Sequence, residues 1–352
     1  MNNKKKTLVI LTPGFPDSEA DTTCLPMQQQ FTRSFRELYP SLNIIILSFQ
    51  YPYHSKTYKW FDTTVISFNG RNKGGLYKLL LRRKINASLK KINRENRIIG
   101  LLSFWYNECE WIGKKFGEKN NIKHYCWLLG QDAKKENKYP ERLKPTANEL
   151  IALSDFLQDE FEKNHGTRPF TVMPPGITAK QVGNSMKEKN IDLLAAGSLI
   201  PLKQYEIFIE IIAEIKKQLP HVRAMLVGDG PEREKLQDLV VNLGLKENIS
   251  LPGELPHDEV FQLMERTKVF LHPSSYEGFG VVCIEALYAA AHVISFVKPM
   301  KKDIANWHIV NAKEEMVQKA LAVLQNPAIA YQRIIPFTMS STVKKMIELF
   351  NA

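Results

Sequence analysis

From Ile191 onward the chain settles into one alternation that leaves few folds open to it. "IDLLAAG" is an apolar run ending in Gly197, and it reads as a strand buried on both faces. Ile207, Phe208, Ile211, Ile212, Ile215 and Leu219 then recur at helical spacing, and Pro220 ends the helix. "VRAMLVGDG" is the next strand and turn, followed by the charged helix "PEREKLQDLVVNLGL". "NISLPG", "HDEVFQLMERT", "KVFLHPS", the segment after Tyr276 and "HVISFV" carry the rhythm on. Strands joined by helices through short turns point to a parallel, doubly wound sheet.

At 352 residues the chain exceeds one ordinary core and suits two domains. The N-terminal half repeats the pattern less cleanly. "TLVILT", "NIIILSF", "RIIGLLSF", "IKHYCWLLG" and "NELIALS" are strand-like, with helical stretches at Met27 to Leu38 and Tyr77 to Ile92. "TVMPPGI" is a last strand running into a Pro-Gly linker, and the polar "TAKQVGNSMKEKN" that follows marks a boundary. The expected division is a Rossmann-like domain over residues 1–175, a linker at 176–190, a second Rossmann-like domain over 191–335, and a terminal amphipathic helix at 336–352 packing back on the first. Ligands of doubly wound sheets bind beyond the strand C-termini, so two such sheets are expected to face each other across a cleft.

A 44% apolar, 10% aromatic composition is that of a globular chain. "TLVILTPGF" is a short strand broken by Pro13 and Gly14 rather than a secretory signal, and no apolar run reaches the ~20 residues of a spanning helix. Cys24, Cys109, Cys126 and Cys283 share no metal-ligand spacing and read as reduced thiols of a cytoplasmic protein. The net charge of +11 is uneven: residues 1–180 carry 29 Lys and Arg against 17 acids, residues 181–352 carry 19 against 20. An anionic partner for the first half follows. Between Arg71 and Arg97 ten basic residues meet one acid, Glu95, along an apolar stripe of Tyr77, Leu81, Ile85, Leu89 and Ile92. That segment is either a packed helix with a solvated basic face or a surface for anionic lipid headgroups, placing the protein peripherally at the inner face of a membrane. Basic residues without aromatic interleaving or a nucleic-acid motif exclude DNA and RNA as partners.

"SSYEGFGVVCIEALYAA" carries the sharpest chemistry. Gly278 and Gly280 let backbone amides approach a ligand at a helix start, where anions bind readily. Glu277 can accept from hydroxyls there. Glu285, two turns on among apolar residues, needs a donor of its own. Phosphate on the amides and sugar hydroxyls on the carboxylates describe a nucleotide-sugar; a capping glutamate plus an exposed one is the plain alternative. Lys203 in "GSLIPLK" is a phosphate contact or a surface lysine, and "VGDGP" lacks the third glycine of the dinucleotide fingerprint.

"EGFGVVCIE" resembles the E-x7-E motif of family 4 retaining glycosyltransferases of the GT-B fold. The likeness runs on through "AAGSLIPLKQYEIFIE", "MLVGDGPEREKLQ", "ISLPGEL", "LHPSSYEGFG" and, more weakly, "ILTPGFP" and "VMPPGI". The resemblance implies that Lys203, with the Gly197–Ser198 turn, contacts the donor diphosphate. It further implies that Glu277 and the amides of Gly278, Phe279, Gly280 and Val281 hold the transferred sugar and phosphates. Glu285 would take the ribose, Gly253, Glu254 and Leu255 the base beside the Gly228 turn, and Gly14 would approach from the other domain. Glu277 and Lys203 are then the catalytic pair. The chain departs from the family at Ser198, where Arg is usual, and at Gln131 beside Asp132, where the acceptor-side histidine is usual.

The expectation is therefore an α/β enzyme of two doubly wound domains. It would move a sugar, with retention and no metal or other cofactor, from a UDP- or GDP-sugar to a glycan or lipid-linked acceptor in cell-surface polysaccharide or glycolipid synthesis. The rival is a catalytically weak relative that binds the sugar nucleotide or scaffolds a pathway.

Overall fold

The computed structural model describes residues 4–178 and 187–351. The polar boundary segment "TAKQVGNSMKEKN" lies largely outside them. The chain divides into two compact units, Met1–Thr178 with Phe337–Ala352, and Ala179–Pro336.

The first unit runs β1 (Lys6–Gly14), α1 (Pro26–Leu38), β2 (Asn43–Tyr51), β3 (Thr57–Trp60), β4 (Thr63–Ser67), α2 (Gly75–Glu95), β5 (Arg97–Phe104), α3 (Glu108–Asn120), β6 (His124–Leu128), α4 (Tyr139–Leu143), β7 (Leu150–Ala152), α5 (Asp155–His165) and β8 (Thr171–Val172). Its sheet has the order β3-β4-β2-β1-β5-β6-β7-β8. Apart from the β3–β4 hairpin, its pairs are parallel, with β1 central and in register with β2 at Ile10 and Ile46. Leu8, Val9, Ile10 and Leu11 of β1 are fully buried, because a central parallel strand has helices on both faces. Local chemistry sets the helix ends. Pro26 stands in the first turn of α1, the Ser154 hydroxyl accepts from the Leu157 amide at 3.0 Å to start α5, and Gly166 at φ 72° ends it.

The second unit runs β9 (Ile191–Ala196), α6 (Tyr205–Lys216), β10 (Ala224–Val227), α7 (Arg233–Asn242), β11 (Ile249–Gly253), α8 (His257–Glu265), β12 (Thr267–His272), α9 (Val281–Tyr288), β13 (His292–Ser295), β14 (Trp307–Ile309) and α10 (Lys313–Leu324). The strand order is β11-β10-β9-β12-β13-β14, every pair parallel. Ile211, Ile212 and Ile215 of α6 pack in one core with Leu193, Leu226 and Leu271, as the helical spacing requires.

The terminal helix α11 (Met339–Asn351) returns to the first unit, where Phe350 packs edge-on to Tyr125 at 5.1 Å. Its seat is Gly100. A Cβ there would lie 2.0 Å from the Phe350 ring. Gly100→Ala is expected to destabilise this unit by about 1–3 kcal/mol through overpacking. A lower urea midpoint with unchanged slope is the expected reading; an unchanged midpoint would mean the ring steps aside freely.

Four elements escape the sequence pattern: β3 and β4, which form a hairpin, the short edge strand β14 and α10. The hairpin hides because "TYKWFDTTVIS" turns on Phe61 and Asp62, both at positive φ without a glycine to announce it. All four cysteines are free. No helix among the described residues is long and apolar enough to cross a membrane.

Candidate active site

In the second unit the chain leaves β9 toward β10 on one side and comes back to β12 on the other. The crevice beyond the C-termini of β9 and β12 is thus the switch point, where doubly wound sheets take their ligands. The two loops that meet there are Gly197–Gln204 and Pro273–Gly280. They are stitched together: the Ser275 amide donates to the Leu202 carbonyl at 3.1 Å, and the Ser274 hydroxyl to the same oxygen at 3.2 Å.

This stitching brings Lys203 onto Glu277 as an ion pair, 74 residues apart in sequence. Oε1 of Glu277 also lies 3.1 Å from Nε2 of His272 and accepts from the Ser274 hydroxyl at 3.1 Å. Burial pushes the Glu277 carboxyl up, but the hydrogen bond and charge of His272, together with the Lys203 ammonium, outweigh it and hold the carboxyl at about 2. Glu277 is therefore a fixed anion, and its bound partners aim it. His272 and Ser274 are functional neighbours that the sequence reading missed. Both sit in "HPSSYE", and their proximity to Glu277 alone gave no sign that their side chains turn toward it.

Gly280 precedes α9 at φ 81°, and a Cβ there would meet the Cys283 sulfur at 3.4 Å and His272 at 3.8 Å. Val281 opens the helix half-buried, while Phe279 is buried with its ring against Trp307 at 6.0 Å, so Phe279 offers its backbone rather than its side chain. Gly278 is buried in the same turn. Glu285 is half-buried one and a half turns further on. Its donor is His257, at 2.8 Å. This residue opens α8, just beyond the Gly253–Glu254–Leu255 turn, in which Glu254 is exposed.

The glycines divide into two groups. A Cβ on Gly197, at φ 149°, would stand 2.7 Å from the Tyr205 hydroxyl, which is buried and has no hydrogen-bond partner among the described residues. Burial and the Glu277 charge push the Tyr205 phenol up, so it stays a neutral donor. Ser198 beside it is exposed. Gly228 and Gly230 serve packing instead: a Cβ on either would press into the carbonyls of Gly197 and Leu199, at 1.9 and 2.5 Å. Gly253, at φ 93°, faces the Arg233 guanidinium, with 3.1 Å between that position and Nη1. Arg233 is a second cation at these strand ends, and "PEREKL" gave no sign of it.

In the first unit Gly14 ends β1 in ordinary contact with Leu25 and Tyr51. Gln131 is exposed in the loop after β6. Asp132 is buried, and its carboxylate accepts from the amides of Tyr106, Leu129 and Gly130 at 2.7–3.2 Å. A carboxylate so occupied organises its loop. Lys78 and Arg82, read from sequence as part of a free basic face, are instead ion-paired to Glu108.

Residues 177–335 match the profile of the family described as "Glycosyl transferases group 1". This segment is similar to the domain of that family. Within it lie Gly197, Lys203, Glu277 and Glu285. The phosphatidylinositol N-acetylglucosaminyltransferase gpi3 subunit of Schizosaccharomyces pombe is 30% identical over 128 residues, 36% of this chain and 28% of its own length. The lipopolysaccharide glucosyltransferase WaaG of Escherichia coli is 28% identical over 165 residues, covering 42% of this chain and 44% of WaaG. The chain thus spans less than half the length of these curated relatives in the matched region. A TarM mutant of S. aureus, crystallised with Fondaparinux, alpha-GlcNAc-glycerol and UDP, superposes with a TM-score of 0.70 at 13% identity, covering 99% of this chain and 100% of TarM. The fold is that of the GT-B glycosyltransferases.

Proposed function

We propose that the chain transfers a sugar from a uridine diphosphate sugar to a hydroxyl of a glycan or lipid-linked acceptor, with retention at the anomeric carbon and without a metal. The observation that carries this is the convergence of Lys203 and Glu277 at the switch point of a domain similar to the group 1 glycosyl transferases. UDP is favoured as the carrier because the TarM structure of the same fold holds it. Glycan and lipid acceptors are favoured by the names of the relatives.

In this reading the Lys203 ammonium and the amides from Gly278 to Val281 stabilise charge that builds on the leaving diphosphate. Glu277 takes hydroxyls of the transferred sugar. The acceptor attacks on the face the diphosphate leaves, and a diphosphate oxygen receives its proton. The protein supplies position and charge rather than a nucleophile. Ser198, where the family usually has Arg, favours the rival reading of a binder with weak turnover; Arg233 offers a replacement cation. The exposed cations Arg83, Lys84, Lys90, Lys91 and Arg94 of α2 support a peripheral position at the cytoplasmic face of an anionic membrane.

The test is release of UDP from UDP-glucose or UDP-N-acetylglucosamine, with binding of UDP measured by calorimetry. Binding without release would leave the binder. Glu285→Gln is expected to weaken UDP about tenfold, the scale of one charge-assisted hydrogen bond to ribose, with little change in turnover at saturation. Unchanged affinity would take Glu285 out of the ribose site.

A further inference from the structure

We propose that the buried Tyr205 hydroxyl is a further donor to the diphosphate of the sugar nucleotide, reached through the gap that Gly197 leaves beside Lys203. The proposal deepens the transfer reading above and rests on it for the identity of the diphosphate.

Tyr205 opens α6, and side chains at a helix start lean back over the loop that leads into it. The ring is 1% exposed and packs in one core with Leu193, Leu199, Phe208 and Leu226. A phenylalanine would fill that place as well, without the cost of taking a hydroxyl out of water. The hydroxyl has no hydrogen-bond partner among the described residues. Buried polar groups in native proteins are paired, so an orphan of this kind marks an acceptor that arrives from outside the chain. Burial first, then the charge of Glu277, keeps the phenol protonated, so it can only meet that acceptor as a donor. Glu277 itself is held through Oε1 by Lys203, His272 and Ser274.

The backbone nearby says where the acceptor sits. The place that a Cβ would take on Gly197 is 2.7 Å from the Tyr205 oxygen. Such a separation is too short for a carbon and ordinary for an O–H···O hydrogen bond. Apart from the adjoining residues, the next side-chain atom there is Cε of Lys203, at 3.8 Å. An oxygen lodged beside Gly197 would therefore lie between the phenol and the lysine stem. Gly197 is half-buried and Ser198 exposed, which leaves that side open to a ligand. The helix end adds its field. Gln204 precedes α6 at φ 51° without a side-chain cap, and an uncapped N-terminus favours an anion. A phosphate oxygen meets all three conditions, being small, anionic and purely an acceptor. Lys203 would supply charge as a point cation, and Tyr205 would fix the direction of one oxygen.

The experiment compares the full wild-type chain with Tyr205→Phe, which removes the hydroxyl and keeps the ring. Calorimetry uses two probes, UDP and inorganic pyrophosphate, and urea denaturation reads the fold. The variant should bind both probes about tenfold more weakly, the scale of one hydrogen bond to a charged group. Its urea midpoint should match or exceed that of wild type, because the free chain loses no bond. Unchanged UDP affinity overturns the proposal. A loss for UDP that pyrophosphate does not share also overturns it, since the hydroxyl would then serve the nucleoside. A lower midpoint overturns it as well, because a trapped water or another partner would already hold the hydroxyl in the free chain. The probes keep the two readings apart. Pyrophosphate binding that depends on Tyr205, with no binding of UDP, sinks the transfer reading alone. UDP binding indifferent to Tyr205→Phe sinks the phosphate contact alone, and a wild type that binds neither probe sinks both.

Discussion

Replacing Glu277 with glutamine is expected to lower turnover of a UDP-sugar by about 10²–10³-fold, the scale on which a single preorganised electrostatic group acts. The amide keeps the shape and removes the charge. Lys203 would then lose the anion that aims it, and His272, 3.1 Å away, would lose its acceptor's charge. UDP affinity should change far less, because the diphosphate does not need Glu277 itself. The same substitution has a signature in stability. The wild-type carboxyl is held at about 2, below its ordinary 4.5. A depressed carboxyl stabilises the fold above its unfolded value, and that stability is lost as pH falls from about 4.5 toward 2. The loss amounts to about 3 kcal/mol. Glu277→Gln should flatten this acid limb. A variant with normal turnover, or an unchanged acid limb, would mean that Glu277 is neither the working anion nor a folded-state anion.

What the sequence showed and what it hid follow one physical line. Periodicity reports which face of an element is buried, so α6, β9 and the apolar face of α2 were legible from Ile207 to Leu219, Ile191 to Ala196, and Leu81 to Ile92. Glycine spacing marked the turns at Gly197 and Gly280, because left-handed backbone demands it. Side-chain pairing between distant loops leaves no such periodic trace. Lys203 and Glu277 were each visible, and their ion pair was not. His257 on Glu285, Arg233 beside Gly253 and the Tyr205 hydroxyl, without a partner among the described residues, are likewise tertiary facts. The same blindness hid the partners of Lys78, Arg82 and Asp132. Lys78 and Arg82 look solvated on a basic helix until Glu108 is found buried beneath them, and Asp132 looks available until the loop amides close on it.

Glu110 is a residue whose setting no sequence pattern reveals, and the second large effect rests on it. In "ECEWIGKKFGEKN" it looks like a solvent-facing charge near a helix start, yet it is fully buried in α3. Neither oxygen has a hydrogen-bond partner among the described residues, and His124, paired instead with the Ser103 hydroxyl at 2.8 Å, lies 3.4 Å off. Burial first, then the charge of Glu149, pushes the carboxyl up to about 8, and the Cys126 thiol and Lys114, which pull the other way, do not offset it. Burial and the Lys114 charge hold His124 down at about 3, so it stays neutral and cannot rescue the anion. The sign follows from the proton count. A carboxyl raised in the folded state favours folding fully below about 4.5, and that contribution drains away as pH rises toward 8. At pH 7 about 3 kcal/mol has gone. Glu110→Gln keeps the shape of the protonated acid without its titration. It should raise the stability of the chain at pH 7 to 8 relative to wild type and leave the two nearly equal near pH 4.5. Urea denaturation across that range would show wild-type midpoints falling with pH while the variant stays level. Parallel pH profiles for the two proteins would mean that Glu110 finds a partner when ionised, and that the buried acid is not a cost to this fold.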